Sequence, residues 1–406
     1  MRQLVGPFSQ ILTMQHTPLM GCVNENDLTI IRNGGVLIKD NIIEQVGEYE
    51  SLRNDDYEEI EINGAHVLMP GLIDAHTHMC FGGSRAGDYA LRVAGKTYQE
   101  ILKSGGGIYD TVEKTRKETL ESLTDLLVHR SQRQLHDGIT TCEVKSGYGL
   151  NVEYELRMLE AISSADKLVR QDLVPTCLAA HVCPKEYSDP SKYLNYIVEE
   201  LFPVLKEKSI TNRIDIFTED GAFNKNLSLG YLESAREYGF DLTIHADQFT
   251  SGGSELAVHL KATSADHLEA STDADISRLA KSDVVCTVLP GASLGLGMHY
   301  APARKLLDAG CCVAIATDWN PGSAPMGDLL IQTALIGASE KLSIPECIAG
   351  ITLRAAKALN LFDRGKLQAG YLCDMIAFPT DDYQEIMYQQ GKMKPNLIWK
   401  SGESVV

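Results

Sequence analysis

Eight short apolar segments, separated by long stretches with helical patterning, restrict most strongly how this chain of 406 residues can fold. Several of the separating stretches, such as NVEYELRMLEAISSADKLVR, carry apolar residues at helical spacing. Eight β segments alternating with α crossovers predict an α/β protein built on a TIM-like (β/α)8 barrel. The eight segments are 71–78, 138–146, 172–182, 213–220, 241–247, 262–269, 283–290 and 311–318.

A doubly wound open sheet is the alternative arrangement for alternating β and α segments. In its dinucleotide-binding form the first strand is followed by a G-x-G-x-x-G turn. That turn does not follow the first segment here, which favours the barrel.

The two ends of the chain have a different pattern, in which short β-like runs are separated by turns rather than by helices. In LTIIRNGGVLIKDNIIEQVG, the sequence Asn33-Gly34-Gly35 is a hairpin signal between two such runs. The end of the chain is similar, as in GKLQAGYLCDMIAF. We therefore predict a small, discontinuous β-sandwich-like domain from residues 1–68 plus 364–406, and a barrel domain from residues 69–363.

The composition limits the partners of the chain. The net charge is −18 and the pI is about 5.0, so the surface repels nucleic acid and anionic membranes. An anionic substrate would need a local cation. The chain has no apolar run long enough to span a membrane and no apolar core of a signal peptide near its start. Its ten cysteines form no C-x-x-C pair, and we expect a cytoplasmic protein with reduced thiols.

Ionisable residues end several of the predicted barrel strands. The first segment, GLIDAHTH, ends in His76 and His78, which point to the same side because alternate residues of a strand do so. His245, His267 and Asp318 lie at the predicted strand ends within the fifth, sixth and eighth segments. Such a pair of histidines also occurs by chance on turns. Convergence of three imidazoles and a carboxylate at the carboxyl ends of the strands predicts a divalent metal site with room for water.

Six short motifs also occur in order along the chain. They are FGGSR (81–85), KSGYGL (145–150), HADQ (245–248), SADHLE (264–269), LPGASLGLG (289–297) and TDWNPGSAP (317–325). Together with the metal-site residues they resemble the imidazolonepropionase family of the amidohydrolase superfamily, over nearly the whole chain. The resemblance implies hydrolysis of 4-imidazolone-5-propanoate to N-formimidoyl-L-glutamate in L-histidine degradation, by a metal-activated water that attacks the ring carbonyl carbon.

The resemblance also implies roles for individual residues. The metal ligands would be His76, His78, His245 and Asp318, and the catalytic groups would be Asp318, His267 and His181. His181 would donate to the oxyanion and contact the substrate. Asp318 and His267 are both candidates for the proton carrier. The other substrate-binding residues would be Arg85, which suits a carboxylate, together with Tyr148, Gln248, Asn320, Gly322 and Ser323.

Some relatives in the superfamily hold two metals bridged by a carboxylated lysine at the end of the fourth strand. Here that strand ends in Thr218-Glu219-Asp220, so we predict one divalent metal per chain, zinc or iron, with Glu219 as an alternative bridge. Lys145 ends the second segment and is expected in a salt bridge or against substrate. Another mononuclear-metal amidohydrolase, such as an aromatic-base deaminase, is the alternative function, and a barrel without catalysis is a second. We expect a homodimer.

Overall fold

The computed structural model describes residues 2–96, 100 and 105–405. Its strands divide between two sheets, one built from the two ends of the chain and one from the middle. In chain order the strands are β1 Arg2–Leu12, β2 Ile30–Lys39, β3 Ile42–Glu48, β4 Glu58–Glu61, β5 Val67–Pro70, β6 Leu72–Asp74, β7 Ile139–Lys145, β8 Asp172–Ala180, β9 Arg213–Thr218, β10 Asp241–Ala246, β11 Ser264–His267, β12 Val285–Val288, β13 Cys312–Ile315, β14 Met375–Phe378, β15 Leu397–Lys400 and β16 Glu403–Ser404.

The α-helices whose ends are described lie mostly between the strands of the second sheet. They are α1 Tyr49–Leu52, α2 Ala86–Val93, α3 Ile108–Lys117, α4 Leu120–His136, α5 Val152–Asp166, α6 Pro190–Lys208, α7 Lys225–Glu237, α8 Gly253–Leu260, α9 Asp273–Leu279, α10 Pro290–Leu296, α11 Ala303–Asp308, α12 Leu329–Glu340, α13 Ile344–Gly350, α14 Leu353–Ala358 and α15 Gln384–Tyr388. No helix in the described part of the chain is long and apolar enough to cross a membrane.

Local sequence explains why the long helices form where they do. Helix α4 begins after Thr119, whose hydroxyl accepts the backbone N–H of Ser122 at 3.1 Å and so caps the first turn. Leu123 and Leu127, one helical turn apart, are buried on its inner face. The helices therefore cover the strands with one apolar side.

The second sheet is the predicted barrel. Its strands β6 to β13 pair in parallel with their neighbours in chain order, and all eight predicted segments contain one of them. Beyond β6 and β13 the chain closes the barrel: the backbone N–H of Asp318 donates to the His76 carbonyl at 3.0 Å, and that of His78 donates to the Trp319 carbonyl at 2.9 Å. The predicted fold class is confirmed.

The Asp74 carboxylate, which ends β6, strengthens the closing seam. It accepts the backbone N–H of Thr317 at 3.0 Å and its hydroxyl at 2.6 Å. Burial raises the pKa of Asp74 to about 7, against the opposing effect of these hydrogen bonds. The first and last strands are thus joined by side-chain as well as main-chain contacts.

The first sheet is a mixed sheet with the order β16-β15-β14-β5-β1-β2-β3, and β4 pairs with β1 beside β5. Both ends of the chain contribute to it, as the sequence indicated. The division at residues 68/69 and 363/364 stays a prediction. Lys400 in β15 joins the sheets, since its ammonium lies 3.0 Å from Asp374 beside β14 and 3.0 Å from Asp172 in β8.

The hairpin predicted at Asn33-Gly34-Gly35 was wrong, because these residues lie inside β2. The turn to β3 falls at residues 40–41 instead. Side chains from neighbouring elements occupy the space above the two glycines: a Cβ on Gly34 would come within 2.6 Å of Ile11, and one on Gly35 within 2.8 Å of Tyr49. The glycines serve close packing in the strand rather than a turn.

Candidate active site

Three imidazoles and one carboxylate converge at the carboxyl ends of the barrel strands. The Nε2 atom of His78 lies 3.2 Å from Nε2 of His76 and 3.2 Å from Nε2 of His245. Oδ1 of Asp318 lies 3.3 Å from Nε2 of His78 and 3.7 Å from that of His76. All four side chains are buried. The sequence-predicted metal ligands are therefore brought together.

The opposite ring nitrogens are held by carboxylates. Nδ1 of His76 lies 2.7 Å from Asp266, and Nδ1 of His245 lies 2.9 Å from Asp215. Because an ionised carboxylate only accepts, each Nδ1 carries the proton and each Nε2 presents a lone pair. Burial, followed by Lys145, lowers the pKa of His76; burial also brings that of His245 down to about 4, against the opposing effect of Asp215.

This donor set fits a divalent cation. His76 and His245 both direct an Nε2 lone pair towards Nε2 of His78 at 3.2 Å, and a cation between the three nitrogens would bind both lone pairs. Oδ1 of Asp318 has no hydrogen-bond partner among the described residues, and it faces the same point. Three imidazoles plus one carboxylate are ligands that zinc and iron accept.

His267 lies beside this group, with its ring centroid 5.3 Å from that of His245. Its Nδ1 lies 3.6 Å from Glu269, which in turn accepts the hydroxyl of Ser293 at 2.8 Å. Burial lowers the pKa of His267, but Glu269, Asp318 and Asp266 outweigh burial and raise it. The pKa of His267 is thus shifted in the opposite direction from those of His76 and His245.

Three of the metal-site residues, His78, His245 and Asp318, form one wall of a cavity of about 750 Å³. Of the predicted site residues, only His76 does not line this cavity. Those that do are His78, Arg85, Tyr148, His181, His245, Gln248, His267, Asp318, Asn320, Gly322 and Ser323.

Arg85 provides a cation on another wall of the cavity. Its Nε donates to Asp88 at 2.8 Å, and Asp88 also accepts the backbone N–H of Gly107 at 2.9 Å. Burial raises the pKa of Asp88, but the bonds from Gly107 and Arg85 outweigh it and lower the pKa. Asp88 is therefore ionised and fixes the guanidinium by one edge. A Cβ on Gly322 would lie 2.4 Å from Nη1, so the glycine leaves room for Arg85.

Tyr148 and His181 form an aromatic side of the cavity. Their ring centroids are 5.4 Å apart, and the ring of His181 stacks on that of His78 at 5.2 Å. Nδ1 of His181 lies 3.1 Å from the Gly147 carbonyl, so Nδ1 carries the proton. Burial, then His78 and His245, lowers the pKa of His181, which keeps its ring neutral.

Asn320 shapes the loop that follows Asp318. Its side-chain oxygen accepts the backbone N–H groups of Gly322 at 2.7 Å and Ser323 at 2.8 Å. Its amide nitrogen donates to the Asp318 carbonyl at 2.7 Å and to the Ser323 hydroxyl at 2.9 Å. In this state Asn320 holds the loop, so its predicted contact with substrate requires an exchange of one of these bonds.

Glu219 does not join the metal cluster of the described residues. Its carboxylate accepts the backbone N–H of Phe249 at 2.9 Å and that of Thr250 at 3.2 Å, and it also accepts the Thr250 hydroxyl. Glu219 thus holds the segment after β10, next to Gln248, which lies in the cavity wall.

Comparison with known proteins agrees with this geometry. A model described as the amidohydrolase family matches residues 67–405. The imidazolonepropionase of Bdellovibrio bacteriovorus is 39% identical over 390 residues, covering 94% of this chain and 91% of that protein. The imidazolonepropionase of Bacillus cereus is 38% identical over 397 residues, covering 97% and 94%. The chain belongs to the imidazolonepropionase family. The predicted class, a hydrolase of carbon–nitrogen bonds in cyclic amides, is confirmed by this membership.

Solved structures with the same fold are more distant. A triazine hydrolase variant superimposes with a TM-score of 0.76 at 16% identity, covering 100% of this chain and 94% of that chain. An adenosine deaminase from Xanthomonas campestris with bound zinc gives 0.72 at 16% identity, covering 99% and 92%. At this identity the likeness shows the amidohydrolase fold alone.

Sequence reasoning missed several residues of this imidazolonepropionase-family site. Arg92 lies in the cavity wall, where it donates to the carbonyls of Gly295 at 2.7 Å and Gly322 at 3.1 Å. Asp215 and Asp266, the partners of the metal-site histidines, were also missed. Their positions inside buried strands were the available signal, since charged residues are seldom buried without a partner.

Proposed function

We propose that this chain hydrolyses 4-imidazolone-5-propanoate to N-formimidoyl-L-glutamate, a step in L-histidine degradation. The observation that carries the proposal is one cavity with a metal-ligand cluster on one wall and the Arg85 guanidinium on another. A substrate with a hydrolysable ring and a carboxylate tail matches both walls. The identity to curated imidazolonepropionases over nearly the whole chain supports the same reaction.

We propose one metal ion per chain, zinc or iron, with His76, His78, His245 and Asp318 as ligands. The two groups of closely spaced ligand atoms in the described residues share His76, which supports a single centre. A divalent cation at this centre supplies Lewis acidity and lowers the pKa of a coordinated water towards neutrality. A cytoplasmic location and a homodimer stay predictions.

Different residues of the cavity carry out different parts of the proposed reaction. A water oxygen adds to the ring carbonyl carbon, the bond from that carbon to the ring nitrogen breaks, and the carbonyl carbon becomes a carboxylate. Asp318 or His267 takes the proton from water and delivers it to the leaving nitrogen. His181 lies at the carbonyl oxygen where negative charge develops, and it donates there only with a proton on Nε2, because its Nδ1 already donates to Gly147.

The other residues hold the substrate. Arg85 binds the propanoate with its Nη groups, because its Nε is already bound to Asp88. Tyr148 packs against the planar ring, and Gln248, Asn320, Gly322 and Ser323 bind its polar edge. This assignment keeps every predicted substrate-binding residue in the cavity.

The test is hydrolysis of 4-imidazolone-5-propanoate, followed by the loss of its ultraviolet absorbance, with metal content measured on the same samples. We expect wild type to turn over with about one metal per chain. Arg85→Ala should lower kcat/KM roughly a hundredfold, the value of a charged hydrogen-bonded contact. Arg170→Ala is the control, since Arg170 is exposed and pairs with Glu403 on the surface.

A 4-imidazolone without the propanoate distinguishes this proposal from a deaminase-like or other hydrolase. Wild type should hydrolyse it poorly, and Arg85→Ala should not lower that rate further because no carboxylate is lost. If metal-loaded wild type fails to turn over the propanoate substrate, the proposed substrate is wrong, although the metal site remains.

A further inference from the structure

Lys145, the last residue of β7, lies fully buried beneath the metal-site residues. Its ammonium lies 2.8 Å from Asp215 in β9, 2.8 Å from Glu143 in its own strand, and 3.8 Å from Asp266 in β11. A lysine is seldom placed in a protein interior without a specific partner, and this one has three.

Two of these three carboxylates are the ones that hold the metal-site histidines. Oδ2 of Asp215 contacts both Nδ1 of His245 at 2.9 Å and Nζ of Lys145 at 2.8 Å. Oδ2 of Asp266 contacts Nδ1 of His76 at 2.7 Å and lies 3.8 Å from the same ammonium. The Lys145 ammonium thus lies next to the carboxylate partners of two proposed metal ligands, His76 and His245, which come from opposite sides of the barrel.

We propose that Lys145 is a positioning residue: its ammonium fixes Asp215 and Asp266, and through them orients His245 and His76 for the metal. The inference rests on the proposed metal site. It goes beyond the ligand set because it makes the affinity for metal depend on a residue that touches neither metal nor substrate.

Two opposing effects decide the result of removing this charge. A cation near a metal repels it, so removal of the charge alone would tighten metal binding. Removal also leaves Asp215 and Asp266 buried without their counter-ion, free to turn away from the imidazoles. Partners in this position typically contribute 10–100-fold to metal affinity. The short contacts at 2.8 and 2.9 Å to one Asp215 oxygen favour the second effect.

The test replaces Lys145 by the uncharged methionine and measures the affinity of the metal-free protein for Zn²⁺ by chelator competition. We expect Lys145→Met to weaken Zn²⁺ binding about 10–100-fold, and to alter the visible spectrum of the Co²⁺-loaded protein, which reports ligand geometry. The kcat of the Zn²⁺-saturated variant should fall with little change in KM, because the substrate-binding residues are untouched.

Two further variants separate positioning from general destabilisation. Lys400→Met removes another buried ammonium, held by Asp374 and Asp172 far from the cavity. It should lower stability but leave the Zn²⁺ affinity and the Co²⁺ spectrum as in wild type. The double variant Lys145→Met/Glu143→Gln removes one charge of each sign and is measured if the single variant does not fold, with the same expected loss of affinity.

Unchanged or tighter Zn²⁺ binding in folded Lys145→Met, or in the double variant, would overturn the inference. An equal loss of Zn²⁺ affinity in Lys400→Met would also overturn it, because the loss would then result from general destabilisation of the fold. If wild type itself binds no Zn²⁺, the proposed metal centre fails first, and the two failures are thereby distinguished.

Discussion

His78 and His267 lie in one cluster of buried imidazoles, yet the contacts of their rings differ. His78 has its Nε2 within 3.3 Å of two other imidazoles and a carboxylate oxygen, as a metal ligand requires. His267 has its Nδ1 beside Glu269, which raises its pKa and favours proton transfer. Replacement of His78 and replacement of His267 should therefore have different effects on metal content and on activity.

We expect His78→Ala to lose both metal and activity, because it removes a ligand. His267→Gln should keep about one metal per chain and lose roughly a hundredfold or more in kcat, the usual contribution of general acid–base catalysis. Metal analysis and steady-state kinetics on the same preparations check this. A metal-free His267→Gln protein would show instead that His267 is a ligand.

The residues proposed as metal ligands could be located from the sequence because catalytic residues of a barrel lie where its strands end. His76, His78 and Asp318 each follow a recognisable apolar segment. The partners of these residues could not be predicted in the same way. Whether Asp266 reaches His76 across the barrel depends on strand register and side-chain rotamers, and the local sequence determines neither.

At the scale of elements, the segment after β13 contains Asp318, a proposed metal ligand, and Gly322, which lies close to Arg85. Gly322 packs against the guanidinium of Arg85, and its Cβ would lie 2.4 Å from Nη1. Because Arg85 is held at Nε by Asp88, its free end has limited room to shift. A side chain at position 322 would therefore displace the guanidinium that we propose binds the propanoate.

Gly322→Ala should raise KM for 4-imidazolone-5-propanoate about tenfold, the cost of roughly 1.4 kcal/mol for a displaced contact. Metal content should remain at the wild-type level. Gly221→Ala is the matched control, because Gly221 also lines the cavity and its added Cβ would meet nothing within 4 Å. Equal KM values for the two variants would contradict the packing argument, and steady-state kinetics decide between them.

Elements were easier to predict than the connections between them. The eight barrel strands follow from apolar runs of strand length, and each was found. The turn predicted at Asn33-Gly34-Gly35 was wrong because a pair of glycines can also occur where close packing leaves no room for side chains. Here Ile11 and Tyr49 occupy the space that side chains at positions 34 and 35 would need, and both are distant from the glycines in sequence.

At the scale of the whole molecule, the proposed metal spans the seam that closes the barrel. His76 and His78 follow the first barrel strand, and Asp318 follows the last. The chain joins these segments by two backbone hydrogen bonds and by the contacts of Asp74 with Thr317. A cation shared by both segments would add a further link at this seam, so metal binding and barrel stability should be coupled.

We expect removal of the metal by a chelator to lower the Tm, and added Zn²⁺ to restore it. At free metal 100-fold above Kd, binding to the folded state alone stabilises it by about 2.7 kcal/mol. His78→Ala should already have the lower Tm and should respond to neither chelator nor Zn²⁺, because the ligand set is broken. Thermal unfolding with and without chelator checks both statements. A wild-type Tm that is unchanged by metal removal would mean that the seam is held by the Asp74 contacts and the backbone bonds alone.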